Sequence, residues 1–253
     1  IIDDRLIRDL THCLERPGVL AEAEAYDLAT IVWTYGSLEY LDTGLMGTLT
    51  ERLRQPDVLA ALNAWSISNV VWGIARLGIG DRALMSSLAA RGLQQLHEFT
   101  AQGVANILWG FAQMGVDEPR FVQGLLRHVM VGGVLDAFSP QGVTNTLWAL
   151  AVFDSVEDEV LAALVARAQM FGPLGPAELN QLHQVLLHIR LNADRLPLTR
   201  QTVQSLGRPL AVQAERSFTS SPTRPSALQR GVSDILRGMG IEVQEEVFLE
   251  EAG

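Results

Sequence analysis

Gln102, Asn106, Gly110 and Gln113 are spaced by four, four and three residues, so one face of a helix carries three amides and one small residue. The same face recurs as Tyr26, Thr30, Thr34, Ser37; as Trp65, Asn69, Gly73, Arg76; as Gln141, Asn145, Ala149, Val152; and as Pro176, Asn180, Gln184, Leu187. An amide carries two donors and an acceptor in one plane. Aligned along one edge with small neighbours, amides make a shallow groove that suits base edges better than phosphates. Tyr26 and Trp65 replace Gln at one end, where an exposed ring can stack on a base. The candidate RNA-contacting residues are therefore Tyr26, Trp65, Asn69, Arg76, Gln102, Asn106, Gln113, Gln141, Asn145 and Asn180. The recurring Asn have a second reading, as a ladder bonding to adjacent helices or capping backbone groups. Spacing leaves both open.

Other chemistry finds little support. Of the five His (His12, His97, His128, His183, His188), His183 and His188 are five apart with no acidic partner at metal-ligand spacing. Gly132-Gly133, the only adjacent glycines, have no Lys after them and read as a helix end rather than a phosphate loop. No Ser joins a His and an acid in a recognisable pattern. Asp117-Glu118 and Glu157-Asp158-Glu159 fall at helix starts, where the macrodipole favours carboxylates. A single cysteine, Cys13, excludes an internal disulfide or a multi-Cys zinc site, and is expected as a small buried residue. The expectation is a protein that is not an enzyme, with no cofactor, no metal and no small-molecule substrate.

The elements that carry the stripe are repeats. Phe99 to Gly115 and Phe138 to Asp154 align at an offset of 39, and Trp65 to Gly78 is a third copy. Weaker copies carry Thr30-Ile-Val-Trp33 and Asn180-Gln-Leu-His183, so the anchors Thr30, Asn69, Asn106, Asn145 and Asn180 are 39, 37, 39 and 35 residues apart. Ser139-Pro140 supplies an N-cap and a first-turn proline. Gly78 and Gly115 stand where a helix end needs a left-handed residue. Apolar residues between these signals keep helical spacing, as in Val104, Ile107, Leu108 and Phe111. Second helices are predicted at Arg82 to Leu96, Arg120 to Met130 and Asp158 to Met170. This is an all-α solenoid of helix-turn-helix repeats of about 38 residues, in which each pair buries its neighbour's apolar face. Asp4 to Leu14 reads as the second helix of a preceding copy, with the array cut at its start. The Trp row (Trp33, Trp72, Trp109, Trp148, then His183) is expected to pack between helices. Gly36, Ala75, Ala112 and Ala151, three places on, allow a partner helix to come close.

Beyond 190 the chain changes character. Residues 1–190 form the solenoid of about five repeats, 191–225 a Pro- and Arg-containing helix and linker, and 226–253 a further helix with an acidic end. Thr199 to Arg216 is expected as one helix broken near Gly207, and 217–223 as exposed linker. The formal charge is −10, every basic side chain is Arg, and five Glu in the last twelve residues hold half of that excess. An acidic total weakens nonspecific grip on phosphates without excluding a local groove. No apolar run of eighteen residues is present, so no membrane partner is expected. The start at Ile1 is neither a signal nor a transit peptide and reads as a cut or processed end.

Ala-Asn-Ile-Leu-Trp-Gly-Phe-Ala (105–112) and Ser-Pro-Gln-Gly-Val-Thr-Asn-Thr-Leu-Trp-Ala-Leu-Ala (139–151) resemble the octotricopeptide repeat family. The likeness covers about residues 20 to 190. Ser226 to Glu245 looks like the helix that precedes a RAP domain, with no motif of that domain itself in the chain. These resemblances imply sequence-selective binding of single-stranded RNA (mRNA or rRNA) in a chloroplast or mitochondrion, in RNA stability, processing, translation or ribosome assembly. The alternative is a protein-binding solenoid, a scaffold or accessory subunit of an organelle ribosome or other large assembly.

Overall fold

The structure, a computed structural model, describes residues 4–16, 18–154, 158–205, 208–220, 236, 237 and 239. In chain order its helices are α1 (Asp4–Leu14), α2 (Val19–Glu22), α3 (Ala25–Leu38), α4 (Thr43–Leu53), α5 (Pro56–Ala61), α6 (Ala64–Leu77), α7 (Arg82–Gly92), α8 (Ala101–Gln113), α9 (Pro119–Val129), α10 (Pro140–Val152), α11 (Asp158–Gln169), α12 (Pro176–Leu191), α13 (Pro197–Ser205) and α14 (Arg208–Ser220). No strand occurs among the described residues. The fold is the all-α helical repeat that the sequence spacing implies.

Two rows of helices result. The first helices α3, α6, α8, α10, α12 and α14 pack each on the next. Behind them α7 packs on α9 and α11 on α13, with α5 and the 3-10 turn Leu93–Glu98 filling the row. Helix starts are set locally. Asn63, Thr100 and Ser139 accept from the amides of Ser66, Gly103 and Gly142 at 2.9, 3.1 and 3.1 Å. Asp42 and Asp81 do the same for α4 and α7. Gly78 ends α6 in the left-handed region at φ 68°. Gly132 and Gly133 also have positive φ and follow the end of α9, as expected.

The core lies between the rows. Leu28 and Val32 of α3, Leu45 and Leu49 of α4, Ile67 and Ile74 of α6 and Leu84 and Leu88 of α7 are fully buried. Each such side chain contributes about 1.5–3 kcal/mol. Small residues bring the first helices together. A Cβ on Gly73 would lie 2.6 Å from the Val32 carbonyl oxygen, and one on Gly36 would lie 2.8 Å from the Gly73 Cα. One on Gly110 would meet Val71 at 2.7 Å and the Ala75 Cβ at 3.4 Å. The partner that Gly36 and Ala75 admit is thus the first helix of the next copy. Gly73 and Gly110 are buried at these crossings, so that position of the polar stripe serves packing rather than the groove.

Three expectations change. Helix α7 stops at Gly92 instead of reaching Leu96, because Gln95 leaves helical geometry (φ −133°) and donates to the Leu62 carbonyl at 2.9 Å. Cys13 is exposed, since α1 turns Ile7 and Thr11 inward, a third of a turn or more away. Thr11 donates to its own helix at Ile7, so the 2.7 Å contact with Tyr35 has the tyrosine hydroxyl as donor and ties α1 to α3. Finally, stacking continues past residue 190: Pro197 opens α13 on α11, and α14 carries Ser217 to Ser220 as helix rather than linker. Asp158 fixes that join. Its carboxylate accepts from the Leu198 and Thr199 amides, each at 2.9 Å, and from the Thr199 hydroxyl at 2.6 Å. The RAP-like helix over 226–245 lies outside the described residues except at Leu236, Arg237 and Met239.

Candidate nucleic-acid interface

Since α3, α6, α8, α10 and α12 lie side by side, equivalent positions become rows crossing the helices. The middle row is Thr30, Asn69, Asn106, Asn145 and Asn180. Four residues before it run Tyr26, Trp65, Gln102, Gln141 and Pro176, and three residues after it run the Trp row. The three rows share a face because offsets of four and three each return to the same side of a helix.

A groove of about 450 Å³ crosses this face from Trp33 and Trp72, over Gln102 and Asn106, to Gln141 and Asn145. Ala101, Ala105, Ala137, Ser139 and Gly142 complete its lining, and no charged side chain takes part. Trp33 and Trp72 therefore line the groove, whereas Trp148 packs against the core as expected of the row. Trp33 is 43% exposed, and Trp72, Trp109 and Trp148 are half-buried. Their spacing carried the signal: Trp33 is seven residues from Tyr26, hence on the same face and about 10 Å along the axis.

The candidate residues fall into distinct surroundings along the array. Tyr26 and Trp65, 57% and 46% exposed, stack on each other at 4.8 Å with 16° between their planes. Asn69 is largely buried and borders a cleft of about 90 Å³ between α6 and α8, together with Trp65, Gln102, Asn106 and Glu98. Gln102 and Gln141 are exposed, Asn106 is half-buried, and none of the three side-chain amides has a hydrogen-bond partner among the described residues, although the Gln141 carbonyl accepts from Thr144. Arg76 is paired with Glu39 of the preceding copy, which neutralises it. Gln113, exposed on the last turn of α8, is not part of the groove lining.

Further along, the face closes on itself. Asn145 accepts from Gln181 at 2.8 Å, and the Trp148 indole donates to Gln184 at 2.8 Å. Asn180 accepts from Ser217 at 2.8 Å, and His183 stacks on Phe218 at 4.8 Å. The two readings of the Asn row thus divide by position: Asn145 and Asn180 bond to the adjacent first helix, whereas Asn106 faces the groove unpaired. His183 titrates below its ordinary value because burial disfavours the charged ring, with Glu215 opposing. Burial likewise lowers His188, against the pull of Asp154. No cluster of metal-ligating side chains occurs among the described residues.

The groove is thus a neutral surface of amides and two indoles, groups of the kind that can contact base edges and faces. A family model described as RNA-editing substrate-binding complex 6 protein matches residues 1–192. The chain belongs to that family. The RNA-editing substrate-binding complex 6 match takes in α1 to α12, hence the whole groove from Trp33 to Asn145. It makes this a member of an RNA-associated family of helical proteins. No curated protein matches the chain.

Proposed function

We propose that this protein binds single-stranded RNA, sequence-selectively, as a component of an RNA-editing substrate-binding assembly. One observation carries the reading: on a chain of net charge −10, the groove is lined without any charge, by amides and indoles. Base edges and faces suit such a lining, and phosphates do not. The family's description supports an RNA substrate and a place in a complex. The octotricopeptide likeness of the two central copies supports action in an organelle, chloroplast or mitochondrion, on RNA stability, processing or translation. The role is recognition rather than catalysis and uses no cofactor.

Selection from a randomised single-stranded RNA pool at two salt concentrations tests this, alongside a Trp65→Ala, Gln102→Ala, Gln141→Ala variant. Enrichment of a short motif that the variant loses is the expected result. Failure to enrich any motif at low salt overturns it. A second reading, a scaffold binding protein through the same face, is favoured by the acidic total, which repels a polyanion at long range. It predicts that the variant loses a protein partner while RNA never binds.

A further inference from the structure

The Asn row is not uniform, and the difference comes from the following copy. The residue just after the anchor in the next first helix decides whether the Asn is bonded. For Asn69 that residue is Ile107, fully buried and apolar. For Asn106 it is Thr146, whose hydroxyl donates to the Gly142 carbonyl of its own helix at 2.8 Å. For Asn145 it is Gln181, whose Nε2 donates to the Asn145 Oδ1 at 2.8 Å. Asn145 therefore has its acceptor oxygen engaged by Gln181 and turned toward α12. Its Nδ2 has no partner among the described residues, and the residue lines the groove.

We propose that Gln181 is a positioning residue that fixes Asn145 as a hydrogen-bond donor, so the fourth copy selects a base with a keto oxygen rather than an amine at its 4/6 position. The proposal rests on the RNA-reading groove described above. At the exocyclic 4/6 position a donating amide pairs with O4 of uracil or O6 of guanine, while the amines that cytosine and adenine carry there need an acceptor. Gln184 restrains the same copy by holding the Trp148 indole, so ring and amide are both set before a base arrives. Asn106, with no such neighbour, can turn either end of its amide to a base and discriminates less. Two amides can bond either way round; in this arrangement Gln181 donates, and the selected base reports that sense.

The test is selection of RNA from the randomised pool with the full chain, Gln181→Glu and Gln181→Leu. Helix content and melting are recorded for each. The wild-type chain is expected to enrich a motif with one position biased to U or G. In Gln181→Glu the carboxylate only accepts, so Asn145 turns its Nδ2 toward it and its Oδ1 to the groove. That one position then moves toward A or C, the keto-to-amino ratio changing by roughly fivefold, about the worth of one neutral hydrogen bond. Gln181→Leu flattens that position alone. A purely structural role for Gln181 would weaken binding without changing any base preference, and that result overturns the proposal while leaving RNA reading intact. A wild-type motif biased to A or C there also overturns it. No motif with the wild-type chain removes the RNA reading itself, and this inference with it.

Discussion

Two glycine-to-alanine changes in helix interiors should shift stability in opposite directions. Alanine is favoured over glycine in a helix by about 0.8–1 kcal/mol. At Gly47 on α4 an added Cβ meets nothing within 4 Å, so Gly47→Ala should realise that gain in full. At Gly73 the same atom would lie 2.6 Å from the Val32 carbonyl oxygen, 2.9 Å from its carbon and 2.9 Å from its Cγ1. Two of the three are backbone, so no rotamer change relieves them, and α3 and α6 must separate. Overpacking of this kind costs about 1–3 kcal/mol, and rigid obstacles put it near the top of that range. The net is a loss of about 2 kcal/mol, or roughly 4–8 °C in melting temperature for a chain of this size. Thermal and urea unfolding of the three proteins, followed by circular dichroism, gives the comparison. Separation of α3 from α6 should also disturb the Tyr26–Trp65 stack and shift indole fluorescence. A Gly73→Ala protein melting at or above wild type would refute the close approach, and with it the geometry that aligns the rows.

Asp158→Ala should cost about 1–2 kcal/mol, the usual worth of a carboxylate serving a helix start, and should raise protease sensitivity after residue 190. Burial pushes the Asp158 carboxyl up, but the Thr199 hydroxyl and the Thr199 and Leu198 amides outweigh it and hold the group below its ordinary range. That stability is present above the unfolded value near 3.9 and is lost as pH falls through the lower folded value, which acid titration of wild type against the variant would show. His183 and His188 are both lowered in the folded chain, so the fifth copy should loosen as pH falls below the unfolded value near 6.5. Amide exchange of α12 and α14 at pH 7.5 and 5.5 measures this, and equal protection at both would contradict it. The Arg76–Glu39 pair is exposed on both sides, so Arg76→Ala should change stability by less than about 1 kcal/mol in a urea titration.

The repeat was legible because its signals are local. Ser139-Pro140, Asn63 and Thr100 announce helix starts, Gly78 announces an end, and the apolar spacing does the rest. What the sequence concealed depends on contacts between copies. An indole in an apolar stretch reads as core, yet Trp33 stands on the stripe's own face because its seven-residue offset from Tyr26 outranks its hydrophobicity. Gly73 and Gly110 look like open floor between amides, but at those positions neighbouring helices touch. Pro197 reads as a break, though a first-turn proline opens α13. Asn106 and Asn145 are alike in sequence, and only the identity of residue 181 on the next helix separates a free amide from a bonded one.

The most direct measurement of the central claim is the salt dependence of affinity for the selected RNA, by fluorescence anisotropy, for wild type and the Trp65→Ala, Gln102→Ala, Gln141→Ala variant. Each phosphate neutralised adds about 0.7 to the slope of log affinity against log salt for single strands. The groove lining offers no charge to neutralise one. The account predicts a slope below about 1 and at least a tenfold loss of affinity in the variant. A steep slope unchanged by the variant would place RNA on arginines elsewhere and contradict base reading in the groove.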